Sequence, residues 1–584
     1  MTPFEIEQLN FDAASVKRWS DRSPRHTNWP VVYLLDDSKG ARAGLNDIYV
    51  GESVNGSARL LQHLSTPTKK HLKTIRVVVD ETFNKSACLD LESYLIRLLA
   101  GDGKYRVLNR NEGITDADYY SRALYQETFD EVFEQLKSEG LFTRGIAQIE
   151  NSDLFKLSPF KALNQDQAIA VEEILNGLFT DLHTGTRSTI AIQGDPGTGK
   201  TVVGIFLVKL LVDVAASSAD EVVDGDSIFS EFFTEGYREL LEGFRVGLVI
   251  PQQSLRQSIK RVFKKTPGLN EAMVLSPFEV GKGSDDYDLL IVDETHRLNH
   301  RANQPSGTQN KSFADINTNL FGSDDKTKTQ LDWIVARSKH QVFLVDAAQS
   351  VRPADLPRPI LDALVTDARA SGRFFPLTSQ MRVKAGFDYV SYIREVLRPD
   401  ATKHRARPAL ADYDIRLFDD VGQLHDVIKA RDEEFGLARL VAGYAWEWKS
   451  KNDPTAFDIE LDGLRLRWNS TDRDWINSPG SLNEVGSIHT VQGYDLNYVG
   501  VIIGPELRYD AARNQLYVDR DSYADKKGKE NNPVLGITYT DADLLQFITN
   551  IYGVLLTRGI RGTYVYVCDP ELREYLRSVL PATH

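Results

Sequence analysis

Apolar and polar positions change pattern four times along the chain. Between residues 30 and 115, the short apolar runs VVYLL, IYVGES and TIRVVVD alternate with helix-like stretches. A charged helix-like segment (116–140) follows and leads to a linker around 149–159. From 161 to about 365, the runs STIAIQG, RVGLVIP, DLLIVDE and QVFLVDA alternate with helical periodicity, and a looser version continues from 373 with YVGVIIG and GTYVYV. Uninterrupted apolar runs between turns predict strands buried on both faces, and their alternation with helices predicts parallel sheets. The pattern is that of an α/β chain: an N-terminal extension (1–29), a small α+β domain (30–115), a helical linker (116–160) and two parallel-sheet domains (161–365 and 366–584). Two stretches read as insertions. Residues 213–242 are acidic, and 519–533 (DRDSYADKKGKENNP) are charged and turn-rich, which predicts a mobile loop.

Composition narrows the setting. At 584 residues, 41% hydrophobic and 26% charged, the chain can bury several cores. Its two cysteines, Cys88 and Cys568, support neither a disulfide framework nor a cysteine zinc site, as suits a reducing compartment. No run approaches the ~18 apolar residues of a membrane span. A cytoplasmic protein without a membrane partner is expected. The net charge of −14 excludes a generally basic nucleic-acid coat, so any nucleic-acid contact needs a local basic groove. Gln252, Arg256, Lys260, Arg261, Lys264 and Lys265 share one predicted helix that is either such a track or a solvated face. Tyr444, Trp446 and Trp448 either stack bases or pack a core.

The sharpest local signal is Gly194-Asp195-Pro196-Gly197-Thr198-Gly199-Lys200-Thr201, between a predicted strand and an apolar helix. Its glycines let backbone N–H groups wrap phosphates, Lys200 reaches the β/γ-phosphates and Thr201 offers Mg²⁺ a hydroxyl. ATP and Mg²⁺ are the implied cofactors. In LLIVDETHRL, Asp293 and Glu294 emerge at a strand's carboxyl end, where Asp293 can hold Mg²⁺ and Glu294 can orient the attacking water.

With these motifs in place, residues 160–580 resemble superfamily 1 helicases, and more closely bacterial Schlafen-like ATPases with a DE-T/A-H-R second motif. The resemblance implies two RecA-like domains with ATP between them. It makes Gln167, in Leu163-Asn164-x-x-Gln167, an adenine reader, and it assigns VIPQQSLRQSIKRVFKK to nucleic acid. It places Asp346 and Gln349 of FLVDAAQSVRP near the γ-phosphate, with Arg382 of LTSQMR as a phosphate sensor. It matches SIHTVQGYD, with Gln492, Gly493 and Asp495, to H-x-x-Q-G-x-E, Asp495 standing where glutamate is usual. Arg558 of VLLTRGIRG is the implied arginine finger, and Arg561 is a second candidate.

Residues 30–115 carry a second set: Tyr33 and Tyr49 on two short strands, Arg59 and His63 on a helix, Glu92 on another, and Asn109 last. This order resembles the GIY-YIG nuclease family over about 80 residues, with Val-Val-Tyr in place of the first triplet. The resemblance implies Mg²⁺-dependent phosphodiester cleavage. Glu92 is then the protein carboxylate on Mg²⁺, and Arg59 meets charge building on the phosphate. Tyr33 or Tyr49, with help from His63, deprotonates water, and the sequence does not choose between them. Asn109 positions backbone or phosphate. Lys69, Lys70, Lys73, Arg76, Lys104, Arg106 and Arg110 supply local positive charge.

The reading is therefore an ATP-dependent DNA-processing enzyme, an endonuclease joined to a helicase-like ATPase, in antiphage defence or repair. A homo-oligomer or a defence-system partner protein is compatible with it. A nucleotide-gated sensor or assembly ATPase that never translocates, and an RNA-cleaving nuclease, remain as alternatives.

Overall fold

The apolar run at 31–35 becomes the middle of a sheet. In the computed structural model, the described residues are 4–37, 46–110, 119–217, 228–301, 304, 306–346, 350–380, 383, 388–400, 413–471, 475–491 and 494–580. Strands β1 (Phe4–Asn10), β2 (Val31–Asp36), β3 (Asn46–Ser53), β4 (Thr74–Asp80) and β5 (Tyr105–Val107) run in the order β1-β4-β2-β3-β5. All pairings are antiparallel except that of β3 with β5. Val31, Tyr33 and Leu35 pack with Val16, Trp19 and Leu60 on one face, whereas Val32 and Leu34 pack with Cys88, Leu91 and Leu95 on the other. Both faces are covered, which is why β2 reads as continuous rather than alternating apolar sequence.

The first boundaries drawn from sequence need correcting here. β1 pairs with β4 from Phe4↔Asp80 to Asn10↔Thr74, so the segment expected to be an extension supplies an edge strand. The charged helix Arg122–Ser138, expected to be a linker, buries Phe129, Val132, Phe133 and Leu136 in the same core as β2. Its polar face masked a four-residue apolar stripe.

By contact density the chain divides into two interleaved units, one of residues 1–183, 205–244 and 258–273, the other of 184–204, 245–257 and 274–584. The second unit holds two large sheets. Strands β6 (Ser188–Gly194), β7 (Val246–Val249), β8 (Val274–Leu275), β9 (Tyr287–Val292), β10 (Ser338–Val345) and β11 (Phe374–Leu377) form an all-parallel sheet ordered β11-β6-β10-β9-β7-β8. The other comprises β12 (Asp414–Phe418), β13 (Ala438–Ala442), β14 (Ile459–Leu461), β15 (Leu464–Trp468), β16 (Glu484–Ser487) and β17 (Leu496–Ile503), with a separate hairpin of β18 (Leu507–Asp510) and β19 (Gln515–Val518), and finally β20 (Gly559–Val567). Its order is β12-β20-β17-β13-β16-β15-β14, and only β14–β15 is antiparallel. The six apolar runs predicted as strands lie in these two parallel sheets.

The segment 519–533 departs from the mobile-loop expectation. Tyr523 is buried in the core, Arg520 donates to the Tyr539 carbonyl and Asp541, and Lys529 Nζ donates to the carbonyls of Arg520 and Tyr523. Arg520 and Lys529 thereby tie the segment to the fold. Among the described residues, no helix is long and apolar enough to cross a membrane.

Glu506 lies just past β17, fully buried, and accepts a hydrogen bond from the Tyr552 hydroxyl. Gly443, which follows β13, leaves the space: a Cβ there would sit 2.6 Å from Glu506 Oε1. Burial pushes the Glu506 carboxyl from 4.5 to about 7. Between those values the folded protein keeps a proton that the unfolded chain releases, so stability falls as pH rises through this window. Glu506→Gln mimics the protonated form and removes that slope. Its thermal midpoint should overtake the wild type between about pH 5 and pH 8, with a stability gain of up to ~3 kcal/mol. Parallel pH curves would rule this out.

Candidate functional sites

At the carboxyl end of β6, the chain turns through residues 194–201 into the helix Lys200–Ala215. Gly197 (φ 89°) and Gly199 (φ 79°) take left-handed conformations that a side chain would strain. Thr198 closes the turn by donating its hydroxyl to the Asp195 carbonyl at 2.9 Å. Lys200 Nζ donates to the carbonyls of Gly194 (2.6 Å) and Asp195 (3.0 Å) and lies 3.6 Å from Asp346 Oδ2. The ammonium thus rests in the cradle that a triphosphate would fill.

β9 brings in the carboxylates. Asp293 Oδ2 accepts from the Thr201 hydroxyl at 2.7 Å. Burial, reinforced by the Glu294 charge, pushes the Asp293 carboxyl up to about 6. A carboxyl so penalised by desolvation, beside a hydroxyl and a phosphate loop, is a hard-oxygen set that fits Mg²⁺. Glu294 occupies the left-handed region (φ 49°), which sets its carboxylate 3.0 Å from His296 Nε2. Burial alone would raise the Glu294 pKa, but His296, then Arg297 and Lys200, hold it below the ordinary carboxylate range. The side chain is ionised and can accept a water proton's hydrogen bond.

Residues after the second carboxylate reach the other parallel sheet of this unit. Arg297 Nη1 donates to Gln252 Oε1 (3.3 Å), and Gln252 Nε2 donates to the His489 carbonyl (3.2 Å) in SIHTVQGYD. Arg558 is buried and donates to the Tyr494 carbonyl at 3.2 Å, whereas Arg561 is exposed, 4.7 Å from the centre of the Phe435 ring. Asp495 directly precedes β17. Gln167 is buried and accepts from the Asn164 N–H while Asn164 Oδ1 accepts from Gln167 N, a reciprocal cap at the helix start. Gln349, Arg382, Gln492 and Gly493 lie outside the described residues.

Two participants carry no readable spacing signal. Arg394 Nη1 meets Asp195 Oδ1 at 2.5 Å and its Nη2 lies 3.6 Å from Asp346 Oδ1. Gln380 Nε2 donates to the Pro196 carbonyl at 2.7 Å. A cavity of about 640 Å³ abuts the loop, bordered by Pro196, Arg352, Arg394, Tyr539 and Asn550.

The first unit gathers the other set. β2 and β3 pair with Tyr33 opposite Gly51, and the Tyr33 and Tyr49 rings lie 6.4 Å apart. Gly51 has to lack a Cβ, which would stand 2.5 Å from Tyr33 Cζ. The helix Gly56–Ser65, capped by Asn55, presents Arg59 and His63 one turn apart. Tyr33 Oη lies 2.7 Å from His63 Nε2, and the Arg59 guanidinium hydrogen-bonds the same phenol. Burial, then the Tyr49 field, holds the Tyr33 hydroxyl well above its usual range, and Glu92 adds to this. Tyr33 is fully buried, while Tyr49 is half-buried under Lys69. Glu52, unnoticed in the sequence, joins Glu92 in raising the buried Cys88 thiol, after burial itself. Its position two residues after the core-facing Val50 was the available signal.

Several polar and aromatic side chains are engaged within the fold. Asn109 spends both amide atoms on the Val50 backbone, donating at 2.8 Å and accepting at 3.0 Å, so of the two roles expected of it the backbone one is filled and it clamps β3. Arg76 is buried against Asp36 and Glu139, and Arg106 grips Asp47 at 2.7 and 2.8 Å. The basic helix is likewise committed: Arg256 donates to two backbone carbonyls, Arg261 pairs with Asp153 at 2.7 Å, and Lys265 donates to the Gly103 carbonyl. Trp446 and Trp448 pack against a core, with Tyr444 stacked on Trp468.

Residues 187–569 match the family described as Schlafen group 3, DNA/RNA helicase domain. The chain belongs to that family. The matched span holds the phosphate loop, the Asp293–Glu294 pair, Arg394 and Arg558, and residues 187–569 are a helicase-like ATPase domain. An uncharacterized protein of Saccharomyces cerevisiae is 27% identical over 66% of this chain and 83% of its own length. The ATP-dependent DNA helicase RecG of Streptococcus pneumoniae is 26% identical over 38% of this chain, which spans 34% of RecG. Among solved structures, the arterivirus nonstructural protein 10 helicase aligns at TM-score 0.26 and 13% identity, covering 68% of this chain and 64% of its own. A Pif1 helicase from Bacteroides aligns at TM-score 0.26 and 10% identity, covering 70% and 94%.

Within this Schlafen group 3 domain, the doubly engaged Arg394 yields a prediction. Arg394→Ala frees Asp195 at the loop tip and removes positive charge beside Asp346, so ATP turnover should fall about tenfold or more. Steady-state phosphate release measures this, and an unchanged kcat with unchanged KM would remove Arg394 from the site.

Proposed function

We propose that this chain is a DNA-processing enzyme in which the Schlafen group 3 ATPase moves or remodels nucleic acid while an N-terminal GIY-YIG-type domain cuts it. The observation that carries the nuclease half is the convergence of Tyr33, Arg59, His63 and the Glu92 field on one hairpin, from three separate elements. Ordinary core packing has no need of an arginine and a histidine on one buried phenol. In this reading residues 30–115 with β1 form the nuclease, and 161–365 and 366–584 are two RecA-like lobes.

In the motor, Thr201 and Asp293 would hold Mg²⁺, which supplies charge neutralisation between the β- and γ-phosphates. Lys200 releases the loop carbonyls to meet phosphate oxygens. Glu294, already ionised, orients the attacking water, and Arg394 and Arg558 compensate charge on the leaving phosphate. The wiring from Arg297 through Gln252 to His489 supports coupling of hydrolysis to the relative placement of the two parallel sheets. In the nuclease, Glu92 would hold the second Mg²⁺ while Arg59 stabilises the pentacovalent phosphate. The combined architecture fits defence against foreign DNA or repair.

Purified chain is incubated with duplex, single-stranded and forked DNA and with matched RNA, with and without ATP and Mg²⁺. Lys200→Ala should abolish ATP turnover, and Glu92→Ala should abolish cutting while leaving ATP turnover intact. Cutting that persists in Glu92→Ala would sink the nuclease assignment. RNA cleaved in preference to DNA would replace the substrate, and turnover indifferent to every nucleic acid would favour a nucleotide-gated sensor.

A further inference from the structure

We infer that Lys69 locks His63 as the Nε2–H tautomer, so that His63 is a positioning donor to Tyr33 and not the base that takes the water proton. The inference rests on the nuclease reading for its functional meaning, though its chemistry stands on three contacts alone.

An ammonium group has three donors and no acceptor. Lys69 Nζ lies 3.1 Å from His63 Nδ1, so Nδ1 has to accept. Burial first, then the Lys69 and Arg59 charges, bring the His63 pKa down to about 2, and the ring is neutral. A neutral imidazole with one accepting nitrogen carries its proton on the other. Nε2–H therefore donates across 2.7 Å to Tyr33 Oη. Arg59 also has only donors to offer this phenol.

Tyr33 oxygen thus receives two N–H groups, and its own hydroxyl proton has to point to a third partner. His63 keeps no basic nitrogen for catalysis, because one faces a cation and the other holds the proton. Proton abstraction then falls to a tyrosine oxygen. Lys69 serves both rings, since its Nζ also sits 3.3 Å from the centre of the Tyr49 ring, a cation–π contact. Its place just after the helix that carries His63, on the turn Pro67–Lys69, makes the contact local and short.

The direct test is histidine-selective ¹⁵N NMR of the full chain, with the His63 signals assigned by their loss in His63→Gln. Wild type should show a protonated Nε2 and an unprotonated Nδ1. Lys69→Met should shift His63 toward the Nδ1–H form, and Lys69→Arg should restore the original. Nδ1–H in the wild type, or a tautomer indifferent to Lys69→Met, overturns the inference. Cleavage gives the second readout. Glutamine keeps an N–H near the Nε2 position, so His63→Gln should stay within about threefold of wild-type kcat while His63→Ala falls by about a hundredfold. Equal losses in both variants, with ATP turnover intact, would make His63 the base and overturn the inference. Should no substrate be cut by the wild type, the nuclease reading fails, and the NMR result still decides the tautomer.

Discussion

Burying both faces of a sheet forces chemistry to its strand ends. β2, β9 and β17 are apolar along most of their length and buried, so a polar side chain within them would lose water and need a partner in return. Around the phosphate loop, charge gathers where strands stop: Lys200 beyond β6, Asp293 and Glu294 beyond β9, Asp346 beyond β10. The cluster around the phosphate loop follows from that constraint, because adjacent parallel strands end side by side and deliver residues far apart in sequence to one place.

Desolvation then decides what each group at those ends can do. Asp293 and Glu294 are neighbours, yet burial drives one up while His296, Arg297 and Lys200 drive the other down. The two carboxyls of the pair are thereby driven in opposite directions. The hairpin site works by the same means with opposite charge. Burial first, then Lys69 and Arg59, keep His63 neutral, which leaves proton direction to be set by which partners can only donate. At both places neighbouring cations bias protonation, after burial has set its scale.

Much of the fold was legible because its signals are contiguous. The phosphate loop occupies eight consecutive residues, and the six long apolar runs became parallel strands without exception. Failures came where the signal was short or shared. β13 (ARLVA) and β16 (EVGS) are too brief for periodicity to register. Phe4–Asn10 reads as mixed polar because an edge strand has one solvated face. Residues 519–533 looked mobile from charge alone, since composition does not reveal that Arg520 and Lys529 are tied to backbone carbonyls.

By itself the sequence determined the α/β class, the phosphate loop with its acidic partner, and which residue types surround the hairpin. Those depend on local periodicity and on motifs held within a few covalent bonds. Only the tertiary structure decided that Asn109 clamps a strand, that Arg76 and Arg106 are consumed by internal ion pairs, and that Arg394 reaches the phosphate loop. The physical reason is that pairing, burial and proton direction depend on distances through space. Asp195 and Arg394 stand 199 positions apart in the chain and 2.5 Å apart in the fold.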